Sequence, residues 1–134
     1  MTTINQVIEA VKTIKDFVNP NQLEILGDNC RGEEAEFFKT MIVELAERIN
    51  NMPKTGETDG QGDDAIVYLH YFVGAADWHI TEKDMEAEQL QAFGLADLGW
   101  GFPELGYISI EEILANNIEL DLYWTPKTLA EVKA

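Results

Sequence analysis

The hydrophobic pattern of this chain changes period at one place, the polar glycine-rich stretch Lys54–Asp63, and that change constrains what each half can become. Before it, Ile4, Val7, Ile8, Val11, Ile14 and Val18 recur at steps of three and four, as on one face of an amphipathic helix. Asn19-Pro20 is a stop signal, because proline drives the preceding residue out of the helical region. Pro20 then opens a short turn through Leu23 and Leu26, ending at Gly27-Asp28-Asn29. Phe38, Met41, Ile42, Leu45, Ile49 and Met52 form the stripe of a second helix. Glu33, Glu34 and Glu36 stand at its start, where the helix dipole favours negative charge, and Pro53 ends it.

After the loop the pattern is that of strands. Ala65–Phe72 is dense in β-branched and aromatic residues, Gly74 follows, and Asp77–Thr81 alternates as its antiparallel partner. A charged connector, Glu82–Glu88, leads to a third strand, Leu90–Ala96. Asp97–Gly106 is a loop rich in glycine, Tyr107–Ser109 a short fourth strand, and Ser109 a cap for a helix from Ile110 to about Asn116, with Glu112 at the capping-box spacing. Ile118–Trp124 alternates as a fifth strand, stopped by Thr125-Pro126, and Thr128–Val132 forms a last helical turn. Helices followed by consecutive strands, without βαβ alternation, predict one α+β domain over residues 1–134. Its helical part is 1–53 and its sheet-forming part 64–132, with the N-terminal helices packed on one face of a mainly antiparallel sheet of about five strands.

Charge narrows the partners. The formal net charge is -16, and from Gly56 to Pro126 Lys83 is the only basic side chain apart from the two histidines. Such a surface repels phosphate backbones and anionic lipid, so direct binding of nucleic acid or membrane is not expected. A basic protein surface is attracted, although acidity also serves solubility alone. Cys30 is the single cysteine, which excludes an internal disulfide and a thiolate-rich zinc cluster and suits a reducing cytoplasm. Met1–Gln6 lacks the basic and apolar regions of a signal peptide, and no apolar run reaches the ~20 residues of a membrane span. A soluble cytoplasmic protein is the expectation.

No motif specifies catalysis or a cofactor. Asp59–Asp64 fails as a calcium loop, because the twelfth position counted from Asp59 is His70 and not glutamate. Gly99-x-Gly101-x-x-Glu104 lacks the third glycine of a dinucleotide cradle. Cys30 beside Arg31 is a weak nucleophile signal, and Ser109, the only serine, sits in no Gly-x-Ser-x-Gly elbow. A metal site would use His70 and His79 with Asp77 or Asp97 nearby, but the faces of these strand residues depend on a register the sequence leaves open. Ordinary strand histidines with hydrogen-bond partners are the plainer reading. Trp78, Trp100, Phe102, Tyr107, Tyr123 and Trp124, interspersed with Asp97, Glu104 and Asp121, match the aromatic anchors and charged rim of a protein-binding surface. The same rings would also serve as core. Trp100 and Phe102 are the best interface candidates, because they lie in a glycine-rich loop.

Ala92–Gly99 followed by Gly101–Ser109 resembles a family of short bacterial, plasmid and phage proteins classed as a domain of unknown function, DUF2958. Trp78-x-Ile80-Thr81-Glu82 and Asp121-Leu122-Tyr123-x-x-Pro126-Lys127-Thr128-Leu129 fit the same pattern. The resemblance covers about Asp64 to Val132 and implies no reaction, cofactor or catalytic residue; the N-terminal helices look like an extension. Its mobile-element context implies an accessory or counter-defence role. His79 stands where the family tends to have an apolar or aromatic residue, which argues against a family-wide metal site. The reading that results is a non-catalytic acidic protein with Asp97, Trp100, Phe102, Glu104 and Asp121 as its binding surface. Its expected partner is a basic protein surface, in the sharpest form a nucleic-acid-binding host protein deceived by a mimic. The alternatives are a small metal-dependent hydrolase using His70, His79 and Asp77 with nearby carboxylates, and a homo-oligomerising structural protein.

Overall fold

The computed structural model describes residues 1–83 and 91–134. Three helices come first: α1 (Ile4–Ile14), α2 (Pro20–Asn29) and α3 (Ala35–Asn51). A 3-10 turn at Gly62–Asp64 precedes β1 (Ile66–Val67), β2 (Leu69–Val73) and β3 (Ala76–Lys83). Then follow β4 (Gln91–Asp97), β5 (Glu104–Ser109), α4 (Ile110–Ala115), β6 (Glu119–Leu120), β7 (Lys127–Thr128) and α5 (Leu129–Lys133). Leu90, expected to open the third strand, and most of the charged connector lie outside the described residues.

The α+β expectation holds. Five strands form an antiparallel sheet in the order β5-β4-β3-β2-β6. Leu69, Tyr71, Ile80, Ala92, Ile108 and Leu120 turn from it toward Ile14, Leu26, Ile42, Leu45 and Ile49 of the helices, making the main core. No helix among the described residues is long and apolar enough to cross a membrane.

Four expected elements differ, the simplest being the fourth strand, which begins at Glu104 and not at Tyr107. The short turn after Pro20 is helix α2. Asn19 Oδ1 accepts the Gln22 N–H at 2.8 Å and Pro20 enters the first turn, so the dipeptide that stops one helix also caps the next. The Gln22 amide exchanges two hydrogen bonds with the Leu120 backbone, 2.8 and 2.9 Å, and so ties α2 to β6. The strand expected at Ala65–Phe72 breaks at Tyr68, and β1 leaves the large sheet to pair with β7. The strand expected at Ile118–Trp124 ends after Leu120. Asp121 Oδ1 accepts the Tyr123 N–H at 3.0 Å and its carbonyl accepts the Trp124 N–H at 3.2 Å, a local turn that outcompetes the ladder.

That turn carries the chain onto the face of the sheet opposite the helices. There Ala65, Val67, Leu95 and Leu129, with Trp124 and Val132 against them, form a second, smaller core. Two side chains at the end of β3 fasten the connecting loop and α3 to the sheet. The Glu82 carboxylate, 2% exposed, accepts the Gly56 and Thr58 backbone N–H groups, both at 2.9 Å, and the Thr58 hydroxyl. Lys83 Nζ donates to the carbonyls of Ile49 and Asn50 at the end of α3, at 2.8 and 3.1 Å. The one lysine between Gly56 and Pro126 is thereby engaged in closing a helix terminus.

Candidate functional site

The histidines are placed by a hairpin. Gly74 and Ala75 form the two-residue loop between Val73 and Ala76, and Gly74 takes φ +54°, the positive value that the first central position of a type II′ turn requires. This loop sets the register so that His70 stands directly across from His79. Both therefore project from one face, the one opposite the helices. Their rings are 4.8 Å apart and 6° from parallel, and Trp124 covers both, at 4.9 Å from His70 and 5.8 Å from His79. The indole is held by its own N–H, which donates to the Val67 carbonyl at 2.9 Å, and Lys127 Nζ lies 4.6 Å from its ring centre.

Carboxylates flank the pair. His70 Nε2 lies 2.7 Å from Asp77 Oδ1 and its Nδ1 3.3 Å from Asp121 Oδ2. Asp97 is the cross-strand neighbour of Asp77. His79 is only 9% exposed, and among the described residues its buried Nδ1 has no hydrogen-bond partner. Burial holds its imidazole below the ordinary histidine range, His70 and Lys127 add to that shift, and Asp77 and Asp97 oppose it. One ligand atom each from His70, Asp77 and His79 fall within 4.8 Å of one another. Two imidazoles and a carboxylate are the donor set of borderline transition metals.

The aromatic loop is built differently. Asp97 Oδ1 accepts the Gly99 N–H at 2.9 Å, and Gly99 and Gly101 both adopt φ +84°, which turns the chain sharply between β4 and β5. Trp100 and Phe102 are 77% and 80% exposed on this turn. Leu98, Leu105 and Tyr107 are exposed beside them in sequence, on the loop and on β5, the edge strand of the sheet. Glu104, expected in the loop, is the exposed first residue of β5.

The sequence profile of the family described as "Protein of unknown function (DUF2958)" matches residues 40–128. The chain belongs to the DUF2958 family. No curated protein and no solved structure matches it at a significant level. The DUF2958 region begins within α3, so most of that helix lies inside it, beyond the stretch whose motifs carry the resemblance. It contains both features just described.

Within the DUF2958 region the five residues expected to form one surface divide. Trp100, Phe102 and Glu104 are exposed in and next to the β4–β5 turn. Asp97 is half-buried and shapes that turn, and Asp121 belongs with His70, where it also makes the turn before Trp124. Trp124 itself, read from sequence as one aromatic among several, is the cover of the histidine pair. The signal that brings His70 to His79 is Gly74: a two-residue hairpin loop at Gly74-Ala75 determines the pairing.

Proposed function

We propose that this protein acts by binding a basic protein surface through the β4–β5 turn and the adjoining edge of the sheet. The observation that carries this is the exposure of Trp100 and Phe102 on a turn held by Asp97, Gly99 and Gly101. Large rings displayed on a constrained loop lose little entropy on docking and supply the anchors that dominate interface energetics. The charge around them supports the choice of partner: the nearest lysine in sequence on the N-terminal side, Lys83, is occupied at the end of α3. Long-range attraction would then accelerate encounter with a cationic partner.

In its sharpest form the reading is mimicry. Carboxylates occupy a groove that otherwise holds phosphates, as an accessory protein of a mobile element would do against a host nucleic-acid-binding protein. A small metal-dependent hydrolase is the second reading, favoured by the grouping of His70, Asp77 and His79.

The test is capture of nucleic-acid-binding proteins from a bacterial lysate, with wild type and the W100A/F102A/E104Q variant compared in parallel. The expected result is a partner retained by wild type, released by salt or by added DNA or RNA, and lost from the variant. Equal retention by the variant, or capture of nothing by wild type, overturns the proposal. Self-association lost in the variant, read by sedimentation, would replace it with the oligomer reading.

A further inference from the structure

We propose that His70, Asp77 and His79 bind a divalent transition-metal ion of the zinc class, with Asp121 as the outer partner that orients His70. This site lies on the histidine pair and stands independently of the docking surface.

The argument begins with the ladder. Cross-strand register presents both imidazoles on one face, so proximity is a property of the hairpin and does not depend on a mobile loop. The ligand atoms span up to 4.8 Å, whereas tetrahedral ligands at ~2.0–2.1 Å from one ion lie about 3.4 Å apart. Because the register already sets both imidazoles on one face, the movement that metal binding requires falls to the side chains. The rings are 6° from parallel, so their in-plane lone pairs do not converge as they stand. Metal binding therefore requires one ring to turn about χ2, the soft torsion of histidine. Asp77 can follow, because its side chain is 38% exposed at the rim.

Three further observations point to a cation. His79 Nδ1 is a buried acceptor or donor without a partner among the described residues, on a residue more than nine-tenths buried. Leaving such a nitrogen unsatisfied is costly, and coordination satisfies it. Asp121 meets His70 Nδ1 at 3.3 Å while Nε2 faces Asp77, the arrangement in which a carboxylate fixes the tautomer and raises the basicity of a metal-bound imidazole. Finally, Asp77 and Asp97 stand opposite each other across β3 and β4, and Asp121 approaches from the turn after β6. Among the described residues the ion pairs of Asp77 and Asp121 are with His70 alone. Like charges in cross-strand positions repel, and a dication relieves this.

Two nitrogen donors select zinc, copper or nickel over magnesium and calcium, which prefer oxygen. Three protein ligands leave a position for water or another donor, and Trp124 limits its access.

The experiment is isothermal titration of untagged protein with zinc chloride, repeated with magnesium chloride, together with long-range nitrogen–proton NMR of the two histidines. Expected are one zinc per chain, no saturable magnesium binding, and displacement of both histidine ring signals. H79F removes the zinc binding; D77N and D121N, which keep size and shape, weaken it by about tenfold or more. Circular dichroism and thermal melting establish that each variant is folded, and D77N at the rim serves if H79F is not. Zinc binding that is absent, that is unchanged in folded H79F and in D77N, or that magnesium competes away at equal concentration overturns the site and leaves diffuse binding by acidic groups.

Discussion

His70 and His79 face each other as a direct cross-strand pair, and each ring presses one face toward the other at 4.8 Å. His70 lies between two aspartates, whereas His79 is enclosed by Trp124 and the sheet. Identical side chains thus have different surroundings a few ångströms apart.

Acid should therefore act on the fold through His79. Burial, reinforced by His70 and Lys127 and opposed by Asp77 and Asp97, lowers its proton affinity in the folded state. As pH falls below the ordinary histidine value of about 6.5, the unfolded chain takes up the proton first. The stabilisation is thus complete above that value and is lost as pH falls toward the depressed folded value. Melting temperatures from about pH 8 to about pH 5 should fall less steeply for H79F than for wild type. Parallel curves would show that His79 contributes nothing to the acid response.

Glu82 should be worth more to the loop than to the sheet. Its carboxylate holds the Gly56 and Thr58 N–H groups and the Thr58 hydroxyl from a buried position. Replacement by glutamine removes one charged acceptor oxygen and should cost about 2 kcal/mol in urea denaturation. Amide exchange at Gly56 and Thr58 should rise in E82Q by more than at Leu69 or Ile80. Uniform exchange across these positions would contradict the clamp.

Gly94 and Gly106 are cross-strand neighbours with different tolerances. A Cβ on Gly94 would stand 2.0 Å from the His79 carbonyl oxygen, while one on Gly106 meets nothing within 4 Å. G94A should destabilise the fold by about 3 kcal/mol or more, since the obstacle is backbone, and G106A by less than about 1 kcal/mol. Comparable losses in the two variants would mean that β3 and β4 do not approach as closely as described.

The displayed rings should contribute little to folding. Trp100 and Phe102 are largely solvent-exposed, so alanine at both positions should shift stability by within about 0.5 kcal/mol at each. A loss of several kcal/mol would show that the loop packs against the body, and the docking surface would have to be sought elsewhere.

Much of this fold is legible in the sequence because period and capping are local. The α3 stripe, Ser109 accepting the Glu112 N–H, and the last helical turn after Thr128 all involve residues within one or two turns of each other. What the pattern hides depends on competition. Asn19-Pro20 reads as an end, yet the same pair caps a new helix. Asp121 alternates correctly for a strand, but its side chain offers the backbone a turn instead. The aromatic loop is readable as a loop, while its display is not, because exposure depends on what else packs there. The histidine pairing lies between these cases. It follows from the length of one hairpin loop, which alternation on either side does not reveal.

The five-stranded sheet is a partition between two unequal compartments. The helix side has an extensive core, whereas the other is closed by four buried residues with Trp124 and Val132 against them, a ladder of two residue pairs, and bonds from Trp124 to Val67, Leu129 to Ala65 and Lys133 to Asp63. Local opening of this side should therefore be easier than opening of the helix-packed body, and faster amide exchange at Val67 and Leu129 than at Leu69 and Ile80 would show it. The seclusion of His79 would then last as long as the Trp124 segment stays on the sheet, and not as long as the native state as a whole.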